Sequence, residues 1–532
     1  MRYLQGWYDN PCTRDVSTWA AIQMVTAVGL RTPVPGQDPK DRFFEKIQWA
    51  DSCLRNAQSV VSELVTRDDD LMGVQVLLAL VSMFLNSSDP RPAAVLIATA
   101  IRLAHRMQLH SKAAMQSYSP DERKQRSRVF WMAYALDKDI SLRGRTPSIQ
   151  SDADIDIPLP PLMPEDGAGI IWTRDGRSSF NHFRMRVELA HLEGKIYDVL
   201  CSNRATKLTA AERRVRSAAI HDELVAWYAR VPEVFRVEHV RSTVGEIELI
   251  CMVKLHHAYL LAQIATHGTW SRDGEWVRRV SSANRAAILD FALGIGSRQS
   301  KECMQSPESH GRDGWQACVE LSRACMKLFQ ESTPTECLIW QCSCAYFSAL
   351  IIILANIILH PSHSCVALDQ HLATNAMTLM DRFIEVVTGK LFKTLQKVIW
   401  DLNTTADRAV KAIQSKEKAQ QQQQQQQAAA AGGPDPNAVP SVFGGEEDEE
   451  DDEGGFLAEA MDPTSASDVF GGHDLVLADF PDHDGPDFLA GYTGPLPQGL
   501  DAFLSGGDDG GGGVGSWAHL EASIADFGRQ LN

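Results

Sequence analysis

The last hundred residues of this chain are too acidic and too rich in glycine and proline to form a packed core. Residues 432–532 contain 22 Asp or Glu and one basic residue, Arg529, so they carry a net charge of −21 and leave +4 for the preceding 431 residues. Gly and Pro make up 28 of these 101 residues, a share typical of low-complexity sequence. Such a segment buries too little apolar surface to offset its chain entropy, which predicts a disordered tail.

Hydrophobic residues occur in this tail as small groups between acidic residues. Alternation of acidic and hydrophobic residues in a disordered segment is typical of transcriptional activation regions. We predict that these groups contact coactivators, such as Mediator-type proteins, with a purely solubilising tail as the alternative. The side chains concerned are Phe456, Leu457, Leu475, Leu477, Phe480, Phe488 and Leu489.

The final segment has the spacing of an amphipathic helix. Apolar side chains recur there at offsets 0, 3, 7, 10 and 14, which places them on one helix face. They are Trp517, Leu520, Ile524, Phe527 and Leu531. We expect this face to dock into a hydrophobic groove of a partner, and docking onto the chain's own helical part stays open as the alternative.

The part before the tail is predicted to be all-α, a large multi-helix bundle. Helical spacing of apolar residues runs from Trp19 to about Gln414, and the alternation typical of strands hardly occurs. Helices are expected over residues 71–85, 93–109, from about 122, and over 181–200, 209–229, 246–267, 283–293, 314–329, 337–359 and 372–413. We therefore predict a helical domain over 1–415, a Gln/Ala-rich and acidic linker over 416–453, and an activation region over 454–532.

One of these segments is long and apolar enough to span a membrane. Residues 337–359 contain no charged side chain. Polar Gln341, Ser343 and Asn356 interrupt the segment, and no basic flank sets an orientation. We therefore interpret it as a central helix of the core and expect no membrane association.

The most specific pattern covers residues 93–160. Its pieces are a helix of the type Ala-Ile-Arg-Leu-Ala, a helix of the type Arg-Val-Phe-Trp with a trailing Asp, a Gly-Arg-Pro-like turn and an exit of the type Asp-Ile-Asp-x-Pro-x-Pro. We call the defining side chains the signature residues. They are Arg102, His110, Arg126, Arg128, Phe130, Trp131, Asp137, Gly144, Arg145, Pro147, Asp154, Asp156, Pro158 and Pro160.

In this order and spacing, the pattern resembles the fungal-specific transcription factor domain, the middle homology region of fungal regulators that bind DNA through a binuclear zinc cluster. Thr146 separates the Gly-Arg pair from Pro147, a departure that affects only the turn. The resemblance implies a nuclear regulator of RNA polymerase II transcription, in which this domain has regulatory and dimerising roles. The partner would be a second copy or a related chain.

The family's zinc cluster uses six N-terminal cysteines, and the chain contains no such group. We therefore expect no cofactor in this chain and DNA contact only through a missing or partner DNA-binding domain. Two alternatives stay open. The cluster lies upstream of Met1 in a longer protein, or the chain is a DNA-independent interaction or inhibitory protein that shares partners with complete regulators.

Local contacts can also be predicted within the pattern. Arg145 follows Gly144, which permits a tight turn, and precedes three aspartates over residues 152–156, so an Arg–carboxylate clamp is expected there, as a structural contact rather than a ligand site. The basic run over residues 123–128 is interpreted as a solvated helix start rather than a nucleic-acid patch.

An all-α enzyme is the remote alternative, and we expect this chain to have no enzymatic activity. The run of three aspartates at residues 68–70 lacks a second carboxylate one turn further on, and no hydrolase elbow, phosphate loop or dinucleotide fingerprint occurs. His105 and His110 are five residues apart, which predicts different helix faces and no shared metal.

Overall fold

The computed structural model describes residues 9, 15–32, 43–68, 70–87, 90–267, 309–332, 336–386 and 390–431. The predicted activation contacts from Phe456 to Phe527 and the helix expected over residues 283–293 lie outside this part of the chain. Two compact units divide between Pro161 and Leu162. We call the described residues up to Pro161 unit 1 and those from Leu162 onward unit 2.

Both units are built almost entirely of helices, which confirms the all-α prediction. Unit 1 contains α1 (Val16–Arg31), α2 (Phe43–Ser59), α3 (Val61–Thr66), α4 (Leu71–Leu85), α5 (Arg91–Arg106), α6 (Lys112–Met115) and α7 (Pro120–Gly144). Unit 2 contains strands β1 (Ile170–Trp172) and β2 (Ser179–Asn181), then α8 (His182–Ile196), α9 (Ala210–Ala229), α10 (Val240–Thr243), α11 (Glu246–Thr266), α12 (Ser309–Glu331), α13 (Glu336–Leu359), α14 (Val366–Val386) and α15 (Lys390–Ala431).

Helix α4 forms the centre of unit 1 because its sequence is apolar on nearly all sides. It contacts α1, α5 and α7. Asp70 caps its N-terminus by accepting a hydrogen bond from the Gly73 N–H at 2.9 Å. The neighbouring α5 is amphipathic, so Ile97 and Ile101 are buried against the core while Arg102 on the opposite face is exposed.

A capping box starts α7, as the sequence predicts. The Ser119 N–H donates to the Glu122 carboxylate at 3.0 Å, and the Glu122 N–H donates to Ser119 Oγ at 3.4 Å. These two bonds satisfy backbone donors that the first turn of a helix leaves without partners. The cap therefore fixes where this 25-residue helix begins and which of its side chains face the core.

Unit 2 is built around two apolar helices, α11 and α13, which contact each other. By length and composition, residues Glu246–Thr266 and Leu338–Leu359 are each apolar enough to cross a membrane, yet 78% and 83% of their apolar windows are buried inside the protein. Such burial is typical of the central helices of a globular core. It supports the interpretation of residues 337–359 as a core helix.

A two-stranded antiparallel hairpin precedes α8, and the sequence analysis did not predict it. Ile171 is opposite Phe180, and both side chains are buried. The turn is held by Asp175, which accepts hydrogen bonds from the Thr173 hydroxyl at 2.6 Å and from the Arg177 N–H at 3.1 Å. Strands of three residues are too short for alternation to be recognised, although an Asp-Gly pair is a known hairpin signal.

The long helix expected over residues 372–413 is two helices, α14 and α15. Helix α15 is buried at Ile399, Leu402, Ala406 and Val410 and then continues through the glutamine and alanine tract to Ala431. Side chains over residues 414–426 are exposed. The predicted linker over 416–453 therefore begins as a helix that leaves the packed part of unit 2.

Buried histidines should make unit 2 less stable in acid. His256 on α11 is 1% exposed, and its Nε2–H donates to the Phe235 carbonyl oxygen at 3.0 Å. Burial lowers the pKa of His256 to about 4. Because the unfolded chain takes up this proton near its ordinary pKa of about 6.5 and the folded chain does not, the stability is present above about pH 6.5 and is lost towards about pH 4.

We expect the free energy of unfolding to fall between about pH 7 and about pH 5 by an amount on the order of 2 kcal/mol for His256. His256→Gln keeps a donor for Phe235 but does not titrate, so its stability should depend less on pH. His239→Gln, at a half-exposed histidine, should retain the full dependence of stability on pH. Urea unfolding followed by circular dichroism measures this, and equal stability at both pH values would contradict the assignment.

Candidate functional site

Two signature residues of α7, Phe130 and Trp131, belong to a buried aromatic cluster. Phe130 and Trp131 meet edge to face with ring centroids 5.2 Å apart, and Trp131 meets Tyr134 in the same way at 5.3 Å. All three side chains are buried. The Trp131 Nε1–H donates to the Pro158 carbonyl oxygen at 3.0 Å. This bond connects the helix to the exit segment.

Asp137 binds the backbone of the segment that follows α7. One carboxylate oxygen accepts a hydrogen bond from the Ile149 N–H at 3.1 Å, and the other accepts one from the Gln150 N–H at 3.0 Å. The residue is 1% exposed. Burial raises the pKa of Asp137, and the two N–H bonds and Lys138 oppose that rise. The carboxylate therefore acts as the acceptor for two backbone groups that no strand or helix serves.

Lys138, which the sequence analysis did not single out, completes this network. Its Nζ donates to Ser148 Oγ at 2.9 Å and to the Gln150 carbonyl oxygen at 2.7 Å, and it lies 3.0 Å from an Asp152 carboxylate oxygen. The Tyr134 hydroxyl donates to the same Asp152 oxygen at 2.9 Å. Tyr134 and Lys138 are four residues apart, so they share a helix face. That spacing is the sequence signal from which a joint role of Tyr134 and Lys138 could have been predicted.

A carboxylate clamp on the exit segment is present, and its cation is Lys138. Lys138 and Tyr134 hold the Asp152 carboxylate. Asp156 accepts a hydrogen bond from the Lys112 N–H, and its own N–H donates to the His110 carbonyl oxygen at 3.3 Å. A carboxylate contact of Arg145 stays a prediction, whereas the carboxylate clamp itself is present.

The turn after α7 also differs from the expectation. Arg145, not Gly144, has the left-handed backbone, with φ of 49°. The Arg145 and Thr146 N–H groups donate to the Leu142 and Ser141 carbonyl oxygens at 3.3 and 3.0 Å, which is the usual way to end a helix with a left-handed residue. Gly144 is helical, so its glycine freedom is not what makes the turn.

Arg126 is a core residue rather than part of a solvated helix start, and this corrects the interpretation of the basic run. It is 5% exposed, and its Nη2 donates to the Met107 carbonyl oxygen at 3.3 Å. Its guanidinium lies 3.8 Å from the Tyr118 ring centroid, a cation–π contact. Arg126 therefore joins α7 to the chain between α5 and α6.

His105 and His110 are close together, contrary to the expectation from their spacing. Their ring centroids are 5.2 Å apart because the chain leaves the helix after Arg106. His105 Nε2 donates to the Gln150 side-chain oxygen at 2.6 Å. Burial is the main cause that lowers the pKa of His110, followed by its neighbour His105.

The remaining signature residues do not converge on one point. Arg102, Pro147, Asp154 and Pro158 have exposed side chains, Arg128 is half-buried and Pro160 is buried. Within the described ranges, no three His, Cys, Asp or Glu side chains are grouped so that they could hold a metal ion. We call the hydrogen bonds of Asp137 and Lys138 to residues 148–152 the latch, and its role is structural.

Residues 27–229 match the model of the fungal specific transcription factor domain. This part of the chain is similar to that domain. This confirms the resemblance drawn from the signature residues, which lie within the matched range.

Curated relatives extend the similarity beyond this domain. An "ABC-transporter-regulating transcription factor" of Aspergillus fumigatus is 30% identical over 426 residues, which is 79% of this chain and 45% of the relative. A protein of the same name from Aspergillus oryzae is 29% identical over 83% of this chain and 48% of the relative. The "Fusaridione A cluster transcription factor fsdR" of Fusarium heterosporum is 25% identical over 76% of this chain and 72% of the relative.

The chain spans less than half the length of the two Aspergillus relatives. These relatives are named as transcription factors. No solved structure matches the chain significantly.

The substitution Asp137→Asn should destabilise the domain strongly. An amide can accept only one of the two N–H bonds and directs a donor at the other, which leaves a buried group unpaired and costs about 2 to 3 kcal/mol. Asp154→Asn, at an exposed aspartate of the same signature, should change the free energy of unfolding by less than about 0.5 kcal/mol. Urea unfolding of both variants tests this, and equal effects would rule out the latch.

Gly144→Ala should leave the stability unchanged or raise it by about 0.5 to 1 kcal/mol, because alanine favours helical backbone. An added Cβ would meet only Thr146 Oγ1 at 3.5 Å and Cγ2 at 3.9 Å. Gly176→Ala is the matched control, since Gly176 has a left-handed φ of 68° in open space and should lose about 1 kcal/mol. A loss at Gly144 as large as that at Gly176, in thermal unfolding, would show that Gly144 makes the turn.

Proposed function

We propose that this chain is the regulatory and activating portion of a nuclear fungal transcription regulator. The single observation that carries the proposal is the match of residues 27–229 to the fungal specific transcription factor domain. Relatives that align over three quarters or more of the chain are named as transcription factors. Their names refer to different genes, so the proposal is confined to transcription regulation.

In this proposal the helical part is a scaffold and the tail is the effector. The latch of Asp137 and Lys138 fixes the segment after α7, and α15 carries the chain out of unit 2 towards residues 432–532. A net charge of −21 on those residues favours encounter with basic surfaces of coactivators, and the apolar groups supply the contacts.

DNA contact would then come from elsewhere. A binuclear zinc cluster, either in a longer form of this protein or on a dimer partner, would supply it. The first 431 residues carry a net charge of only +4, which is a weak electrostatic attraction for a polyanion.

That weak charge also favours the second candidate, an interaction or inhibitory protein that acts without binding DNA. The genomic sequence upstream of Met1 distinguishes the regulator from the inhibitory protein. An in-frame six-cysteine sequence upstream of Met1 supports the regulator, and a stop codon directly upstream supports the inhibitor.

Fusion of residues 454–532 to a foreign DNA-binding domain tests the effector role. We expect reporter expression well above that of the DNA-binding domain alone. Replacing Phe480, Phe488 and Leu489 with alanine should remove most of it, because the aromatic and aliphatic contacts dominate such interfaces.

The matched control replaces Gly471, Gly472 and Gly485 with alanine, which keeps the charge and the apolar groups. This variant should activate like the unchanged tail. Background expression from the unchanged fusion would remove the tail from the proposal, and equal loss in both variants would remove the named side chains.

A further inference from the structure

A surface cavity of about 420 Å³, open to solvent, lies beside the end of α5, apart from the latch. Its walls include Asp68, Arg106, Met107, Gln108, Ser117 and Tyr118. The volume lies within the range of small-molecule pockets. Polar groups of both charge signs and an apolar wall meet in it, which is how such pockets orient a ligand.

Buried Arg126 holds two of these walls in place. It donates to the Met107 carbonyl oxygen at 3.3 Å and lies 3.8 Å from the Tyr118 ring centroid. Tyr118 thus has one ring face supported by a guanidinium that the core itself fixes. The wall is therefore built before any ligand arrives, which reduces the ordering cost of binding.

Gln108 occupies a backbone position that favours glycine. Its φ is 53°, the Gln108 N–H donates to the His105 carbonyl oxygen at 2.9 Å, and the Leu109 N–H donates to that of Ala104 at 2.9 Å. These two bonds define a helix end at which glycine is the least strained residue. The chain instead carries an amide side chain there, on the cavity wall.

Opposite charges stand side by side at the same cavity. Arg106 Nη1 lies 3.8 Å from an Asp68 carboxylate oxygen, and Arg106 Nη2 donates to the Arg67 carbonyl oxygen. A simple anion would be repelled by Asp68, and a simple cation would be repelled by Arg106. A zwitterion whose ammonium and carboxylate groups are attached to the same carbon can pair with both.

We propose that this cavity binds a free α-amino acid with an aromatic side chain. The ligand carboxylate pairs with Arg106, the ammonium faces Asp68, and the ring packs against Met107 and Tyr118. The Gln108 side-chain amide forms hydrogen bonds with the remaining polar atoms of the ligand. Both charged partners are solvent-exposed, so the affinity is weak, with a Kd no tighter than roughly 100 μM.

Isothermal titration of the full chain with L-phenylalanine tests the proposal. Two analogues each lack one charge: 3-phenylpropanoate has no ammonium and 2-phenylethylamine has no carboxylate. We expect L-phenylalanine to bind about three- to fivefold more tightly than either analogue. Absence of heat with L-phenylalanine, or equal affinity for the three compounds, would overturn the proposal.

Variants on one helix provide the matched comparison. Arg106→Gln should weaken binding about three- to fivefold. Arg102→Gln removes an exposed arginine one turn earlier that does not line the cavity, and it should bind like the unchanged chain. Equal weakening in both variants would overturn the assignment of Arg106.

Gln108→Gly separates ligand binding from stability. Removing the left-handed strain should raise the melting temperature, while loss of the amide should weaken binding of L-phenylalanine. A purely structural role for Gln108 predicts a higher melting temperature with unchanged binding, and that result would take Gln108 out of the site.

Discussion

The segment that follows α7 has few backbone partners of its own, and the buried carboxylate of Asp137 provides two of them. Residues 145–161 contain four prolines, which have no N–H to donate, and within this segment the structure has a single 3-10 turn, Asp152–Asp154. The Ile149 and Gln150 N–H groups therefore bond to Asp137. Without that acceptor, the N–H group of the buried residue Gln150 would have no partner.

Lys138 makes this burial of charge tolerable. A carboxylate in the interior is costly unless a cation and hydrogen bonds accompany it. Lys138 follows Asp137 directly and bonds to Ser148, Gln150 and Asp152, so negative and positive groups enter the core together. Such a network adds little net stability but accepts only one arrangement of its partners, which suits a segment that has no regular structure to fix it.

Helical spacing was enough to predict the fold class and the start of α7, because periodicity and capping depend on residues close in sequence. Burial of Arg126 and Lys138 could not be predicted in the same way. Each basic side chain finds its partner in a different segment, Met107 or Gln150, and such contacts exist only after the helices pack. The pairing of His105 with His110 was missed for a related reason, since the helix ends between them.

Backbone conformation at helix ends was the other source of error. Gly144 was expected to permit the tight turn after α7, but Arg145 has the left-handed backbone there. Gln108 has it at the end of α5. Sequence rules favour glycine at such positions because it is unstrained, not because other residues are excluded. The hairpin before α8 was missed because each strand spans three residues.

Helical continuation of α15 through the glutamine and alanine tract changes what the length of that tract means. In a random coil, one more glutamine only loosens the connection between unit 2 and the residues that follow. On a helix, each residue added or lost displaces the point where residue 432 begins by about 1.5 Å along the axis and rotates it by about 100° around the axis. Variation in the number of glutamines would therefore shift and rotate the C-terminal end of α15 relative to the packed helices of unit 2, so that the repeat number sets a direction as well as a length.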